Sequence, residues 1–159
     1  GAGGSFGVGG SLGGCNQPAD CSCQSFVGHT YWFCTTPTGR DAAQTVCAGG
    51  GLDLVRIDDR TENAWVFGTA LGLSLVSPTG TPIDLLFTGA NDSVTLDDWQ
   101  WQDGTLFWSG GAPVGGLYSN WAGGSPQSSS ARRCGGMLYT GEWQARSCTA
   151  LQPFVCEGP

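Results

Sequence analysis

The pattern of apolar and polar positions predicts strand, then two short helices, then strands again. His29-Thr30-Tyr31-Trp32-Phe33-Cys34-Thr35 is rich in β-branched and aromatic residues and reads as a strand. Thr38, with Asp41 three residues on, resembles an N-terminal capping pair. Ala43, Val46 and Cys47 then share a helical face, and Gly49-Gly50-Gly51 stops the helix. Residues 53–57 read as a short extended segment, after which Thr61 caps a second helix with Ala64, Phe67, Gly68 and Leu71 on one face, ending near Gly72. A turn-rich loop spans residues 78–82, and residues 85–89 form a buried strand. Residues 91–116 are loop-rich and carry Trp99, Trp101 and Trp108, while residues 136–139, 143–148 and 154–157 read as short strands. No internal repeat is present. Two early helices, short strands and a long irregular middle make an α+β domain.

Composition changes this picture at the N-terminus. Residues 1–14 hold eight glycines, with Phe6, Val8 and Leu12 as the sizeable apolar groups, which is the composition of an arm or linker. Residues 15–27 form a cysteine-rich extension, and residues 28–159 form the domain proper. The chain has 159 residues and 28 glycines, whose ordering on folding costs much backbone entropy. Eight cysteines, an even number, read as a disulfide framework formed in an oxidising compartment, each bridge contributing roughly 2–4 kcal/mol. An exported protein, extracellular or on the cell surface, is expected. No basic-then-apolar leader precedes Gly1, so the chain reads as mature or trimmed.

Charge removes further classes. The net charge is −7 and every basic side chain is arginine, so nucleic acid is not an expected partner and lysine chemistry is absent. Arginine without lysine points to a GC-rich genome. The longest apolar runs, such as residues 71–76, fall far short of the roughly 20 residues of a membrane span.

One order of residues is specific. Tyr31-Trp32-Phe33, Cys47, Thr61-Glu62-Asn63, Gly89-Ala90-Asn91-Asp92, Trp99-Gln100-Trp101-Gln102-Asp103-Gly104, Trp121, Pro126, Cys134, Trp143, Cys148 and Phe154-Val155-Cys156-Glu157 together resemble a C-type lectin-like domain across residues 28–157. The chain resembles an exported, bacterial-type member. The resemblance implies two helices packed on short antiparallel sheets, a long loop region, and disulfides Cys47–Cys156 and Cys134–Cys148. Cys15, Cys21, Cys23 and Cys34 are then left with three possible pairings. Long-form relatives have a bridge spaced like Cys23 to Cys34, which favours Cys23–Cys34 with Cys15–Cys21, although there the second cysteine precedes the aromatic strand.

Sugar-binding members hold calcium through a Glu-Pro-Asn or Gln-Pro-Asp triplet, a nearby glutamate and a Trp-Asn-Asp triplet. Here the matching positions read Ser125-Pro126-Gln127, Arg132-Arg133 and Trp143-Gln144-Ala145. Calcium requires hard, mostly anionic oxygens, so the site is degenerate and no metal is expected there. A structural calcium elsewhere would draw on Asp92, Asp97, Asp98 and Asp103, whose plainer reading is solvated loop acids.

His29 is the sole histidine and reads as structural, no serine sits in a nucleophile elbow, and the cysteines are committed to bridges, so no enzyme is expected. Trp99 and Trp101 lie at strand period and are expected in the core. Tyr118, Trp121 and Trp108 sit among glycines, where core and binding roles compete. The candidate ligand-binding set is Tyr118, Trp121, Ser125, Gln127, Arg132, Arg133 and Gln144, suited to an acidic or hydroxyl-rich ligand on a glycan or protein. The alternative is a structural subunit of an extracellular assembly, in which residues 1–14 self-associate by packing on a neighbouring copy. A tether role for the same arm is equally compatible with the sequence.

Overall fold

The computed structural model describes residues 15–159, and the glycine-rich arm of residues 1–14, with its expected linker or assembly role, lies outside them. Its element order is β1 (Cys21–Phe26), β2 (His29–Thr38), α1 (Arg40–Gly49), β3 (Asp53–Leu54), α2 (Arg60–Gly72), β4 (Leu85–Asn91), β5 (Asp98–Gln100), β6 (Leu106–Ser109), β7 (Ala112–Pro113), β8 (Cys134–Leu138), β9 (Trp143–Arg146) and β10 (Gln152–Gly158). The backbone path through the sheet runs β1-β2-β10-β4-β5-β6-β7, with β3 on β10, and β8 joining β4 to β9. The α+β architecture of two helices and short strands is therefore the expected one.

The C-terminal strand is central. It pairs antiparallel with β2, placing Val155 opposite Phe33 and Cys156 opposite Trp32, and parallel with β4 at Phe154 and Phe87. Alternate residues then serve different layers, as the strand period of two requires. Tyr31, Phe33, Leu86 and Val155 face the core under α2, whereas Trp32, Cys34, Leu85, Phe87, Phe154 and Cys156 face the core under α1. The Cys47–Cys156 bridge ties α1 to β10, and Cys134–Cys148 closes the far side, both as the resemblance implies.

The N-terminal bridges differ from expectation: they are Cys15–Cys23 and Cys21–Cys34. The hairpin register decides this. Turning at Val27-Gly28, β1 sets Cys21 directly opposite Cys34 and Cys23 opposite Trp32, so Cys34 meets Cys21 and leaves Cys23 for Cys15. The expected boundary between extension and domain falls at this turn, and β1 is an integral strand of the sheet.

Both helix starts also shift. Thr38 ends β2 and does not cap α1; Gly39 is the N-cap without a side-chain bond, and the Arg40 N–H donates to the Cys148 carbonyl at 2.9 Å. One orphan donor of the first turn is thus met from the Cys134–Cys148 loop. Helix α2 is capped by Asp59, two residues before Thr61, its carboxylate accepting from the Glu62 N–H at 2.8 Å. Its buried face is Glu62, Asn63, Val66 and Ala70, while Ala64 and Gly68 are exposed and Phe67 and Leu71 only flank the core. An apolar count misplaces this face because two of its buried positions are polar. Asn63 accepts the Trp143 indole N–H at 2.8 Å and donates to the Gly141 carbonyl at 3.0 Å.

Close packing makes some glycines irreplaceable. A Cβ on Gly136 of β8 would lie 2.3 Å from a Leu85 methyl and 2.5 Å from the Leu86 carbonyl oxygen. Gly136→Ala is expected to cost about 1–3 kcal/mol, read as a lower midpoint in chemical denaturation.

Candidate functional site

The loops beyond β5 rest on an aromatic layer. Trp99, Trp101, Phe107 and Trp143 are buried, and Trp108, Tyr118 and Trp121 pack half-buried on them. Trp101 stacks on Phe107 with centroids 4.5 Å apart and meets the edge of Trp143 at 5.6 Å. The core role expected for Trp99 and Trp101 is the one they have. Trp121 joins the same layer, contacting Trp99 at 4.8 Å, Trp143 at 5.8 Å and Phe107 at 6.2 Å. Its strand-like bridge to Trp143 is closed by the Trp143 N–H to the Asn120 carbonyl at 2.8 Å and the Ala122 N–H to the Trp143 carbonyl at 2.9 Å. Tyr118 lies edge-on to Trp143 at 5.6 Å, and partial burial raises its hydroxyl pKa.

The segment from Ser125 to Arg133 crosses above this layer. The Ser125–Pro126 bond is cis, and the Ser125 N–H donates to the Ala122 carbonyl at 2.9 Å. Ser128, which sequence reading overlooked, pins the segment: its hydroxyl accepts the Trp99 indole N–H at 2.9 Å and donates to Asp97 at 3.1 Å. Gln127 and Arg132 are exposed and meet at 3.5 Å. Arg133 turns the other way. Its Nε donates to the Asp92 carboxylate at 3.3 Å, and its Nη2 donates to the Asp92 carbonyl.

Of the seven candidate ligand residues, then, only Gln127 and Arg132 bond each other. Tyr118 and Trp121 are platform, Ser125 is a turn residue, and Gln144 accepts Arg146 Nη2 at 3.0 Å beside the Arg146–Asp84 pair at 2.9 Å. Ala145, at the last position of the Trp-x-x triplet, is a buried methyl. Serine, glutamine, alanine and two guanidinium groups do not match the anionic oxygen shell that calcium prefers.

The four aspartates do not converge either. Asp92, with no exposed surface, also accepts the Asp97 N–H at 2.9 Å; Asp98 accepts the Ser109 hydroxyl at 2.6 Å. Asp103 pairs with Arg56 at 2.8 Å and accepts the Thr105 N–H at 2.9 Å. Each carboxylate is spent on a different partner, and among the described residues no three His, Cys, Asp or Glu side chains form a metal-holding group.

A second polar cluster lies across the sheet, where its buried acid sits on a helix face that apolar periodicity cannot find. The Tyr31 hydroxyl donates to Glu62 at 2.7 Å and lies 3.4 Å from Glu157, which meets His29 Nδ1 at 2.7 Å and accepts the Arg56 N–H at 3.0 Å. Burial pushes the Tyr31 hydroxyl far up, the bond to Glu62 adding to it. Burial also raises the Glu62 carboxyl, outweighing the Asp58 N–H and Tyr31 hydroxyl that favour its anion. His29, half-exposed, takes part in this arrangement through its contact with Glu157.

Comparison with known proteins bears on the whole of this geometry. The family model for the lectin C-type domain matches residues 37–158. The chain is 30% identical over 127 residues to human C-type mannose receptor 2, covering 79% of this chain and 7% of the receptor, so it spans a small fraction of that relative's length. Over 87 residues it is 34% identical to mouse lithostathine-1, covering 53% of this chain and 47% of that protein. Among solved structures, the mouse scavenger receptor C-type lectin carbohydrate-recognition domain superposes with a TM-score of 0.70 at 26% identity, covering 86% of this chain and 92% of that one. The C-type lectin CEL-I from Cucumaria echinata gives 0.69 at 26% identity, covering 89% and 96%.

Arg133→Ala strands the buried Asp92 carboxylate and is expected to cost about 3 kcal/mol in urea denaturation, whereas Arg132→Ala leaves stability close to that of the parent. Glu62 binds its proton more tightly folded than unfolded, so its contribution is fully present below its ordinary value of 4.5 and is lost as pH rises through the raised folded value. Across that window Glu62→Gln should show a flatter dependence of the denaturation midpoint on pH than the parent.

Proposed function

The chain belongs to the C-type lectin domain family, and from that membership we propose an extracellular binding module, without enzymatic activity, whose loop face of residues 118–133 recognises a glycan or protein ligand without a bridging calcium ion. The observation that carries this reading is the pinned segment over the aromatic layer, which presents Gln127 and Arg132 to solvent and offers no carboxylate at the positions where calcium-dependent relatives need one. Contact then rests on direct hydrogen bonds from the amide and guanidinium. Four disulfides suit an oxidising, extracellular setting, and no helix among the described residues is long and apolar enough to cross a membrane. A single site of this kind is weak, and several copies on one surface would raise the apparent affinity.

Glycan-array binding of the purified protein, with calcium and again with chelator, tests the reading. Binding is expected to survive chelation and to fall with Gln127→Ala and Arg132→Ala. Binding abolished by chelator would refute the calcium-free mode. A protein ligand captured through the same two residues would assign the face to protein recognition.

A further inference from the structure

Behind the exposed rim, a cleft of about 420 Å³ opens on the side of the Cys134–Cys148 bridge. Its polar lining consists of Arg133 and the hydroxyl residues Ser93, Ser130, Ser147 and Thr149. Two other clefts in the described residues, of about 280 and 170 Å³, are lined by three and four carboxylate side chains respectively. In a chain of net charge −7, a cleft with a guanidinium, four hydroxyls and no carboxylate in its wall stands apart electrostatically.

The guanidinium is also held in place. Asp92, wholly buried behind it, takes Nε and Nη2, so the plane of the group is set, while Nη1 makes no hydrogen bond among the described residues. The Ser147 and Thr149 hydroxyls bond each other at 3.0 Å, and the Thr149 N–H donates to Ser147 at 3.3 Å, which fixes that rim of the cleft. Ser93 and Ser130 are exposed, with hydroxyls that make no hydrogen bond among the described residues. A positioned cationic donor among several hydroxyls suits an oxyanion carried on a polyhydroxylated ring: the anion accepts from Nη1, and the ring hydroxyls exchange bonds with the serines and threonine. We propose that this cleft binds an acidic saccharide, its sulfate or carboxylate group on Arg133. The proposal rests on the reading of the domain as a binding module, and it places the charged part of the ligand beside the disulfide, away from Gln127 and Arg132.

The test is a set of nitrogen-15 NMR titrations of the whole chain in chelator with galactose 6-sulfate, galacturonate, neutral galactose and inorganic sulfate. The charged sugars are expected to shift the amides of Ser93, Ser130, Ser147 and Thr149 and the Arg133 Nε–H, with an affinity that falls as salt is added. Galactose should bind about tenfold more weakly, and the sulfated and carboxylated arms show which anion is preferred. Arg133→Lys keeps a charge beside Asp92 but loses the planar fork and should weaken the charged sugars about tenfold. Because that variant disturbs Asp92, a double Ser93→Ala, Ser130→Ala variant, which removes two exposed hydroxyls that make no hydrogen bond among the described residues, should weaken them as well. Equal binding of neutral and charged sugars would overturn the proposal, as would inorganic sulfate matching the charged sugars, or no shift from any probe. Shifts confined to residues 118–128 would overturn it while leaving the proposed function standing.

Discussion

The placement of β10 is the constraint on which the rest depends. The last strand lies between the first long strand and the middle one, antiparallel to β2 and parallel to β4, so the two ends of the described domain meet inside the sheet. A contact between residues so far apart in sequence must overcome a large loop-closure entropy, and the Cys47–Cys156 bridge, 109 residues apart, removes much of that cost from the unfolded chain. Once β10 is seated, Phe154 and Cys156 fill one core and Val155 the other, and β4 carries β8 and β9 outward as a base for the loops. The aromatic layer and the segment above it are built on that base.

Local signals in the sequence revealed those elements whose burial is apolar. The Tyr31-Trp32-Phe33 strand, the glycine stop after α1 and the buried strand near residue 85 lie where their side chains predict. Misreadings occur where polar groups or long-range register decide. Helix α2 turns Glu62 and Asn63 inward because Tyr31 and Trp143 wait for them from other parts of the sheet, and no period of apolar residues encodes that. The N-terminal disulfides follow the hairpin turn at Val27-Gly28, since one residue of register decides which cysteine faces Cys34.

The candidate site was legible in its chemistry and illegible in its geometry. That Ser125, Gln127 and Ala145 carry no carboxylate is plain in one dimension. That two adjacent arginines part company, Arg132 to the solvent and Arg133 to a buried aspartate, depends on Asp92 arriving from the end of β4, which only the folded sheet specifies. Ser128 likewise carries no motif, yet it fastens the loop to Trp99 and Asp97.

The two amino-terminal bridges also bear on mechanical load. Strand β1 lies at the outer edge of the sheet, the place from which a pulled strand peels one hydrogen bond at a time. Tension applied ahead of Cys15 is handed to Cys23 within β1 and from Cys21 across to Cys34 in β2, a strand flanked by β10 and buried over most of its first half. Force on the glycine-rich arm is therefore routed through covalent bonds into the interior of the domain, and the edge cannot unzip while both bridges are intact.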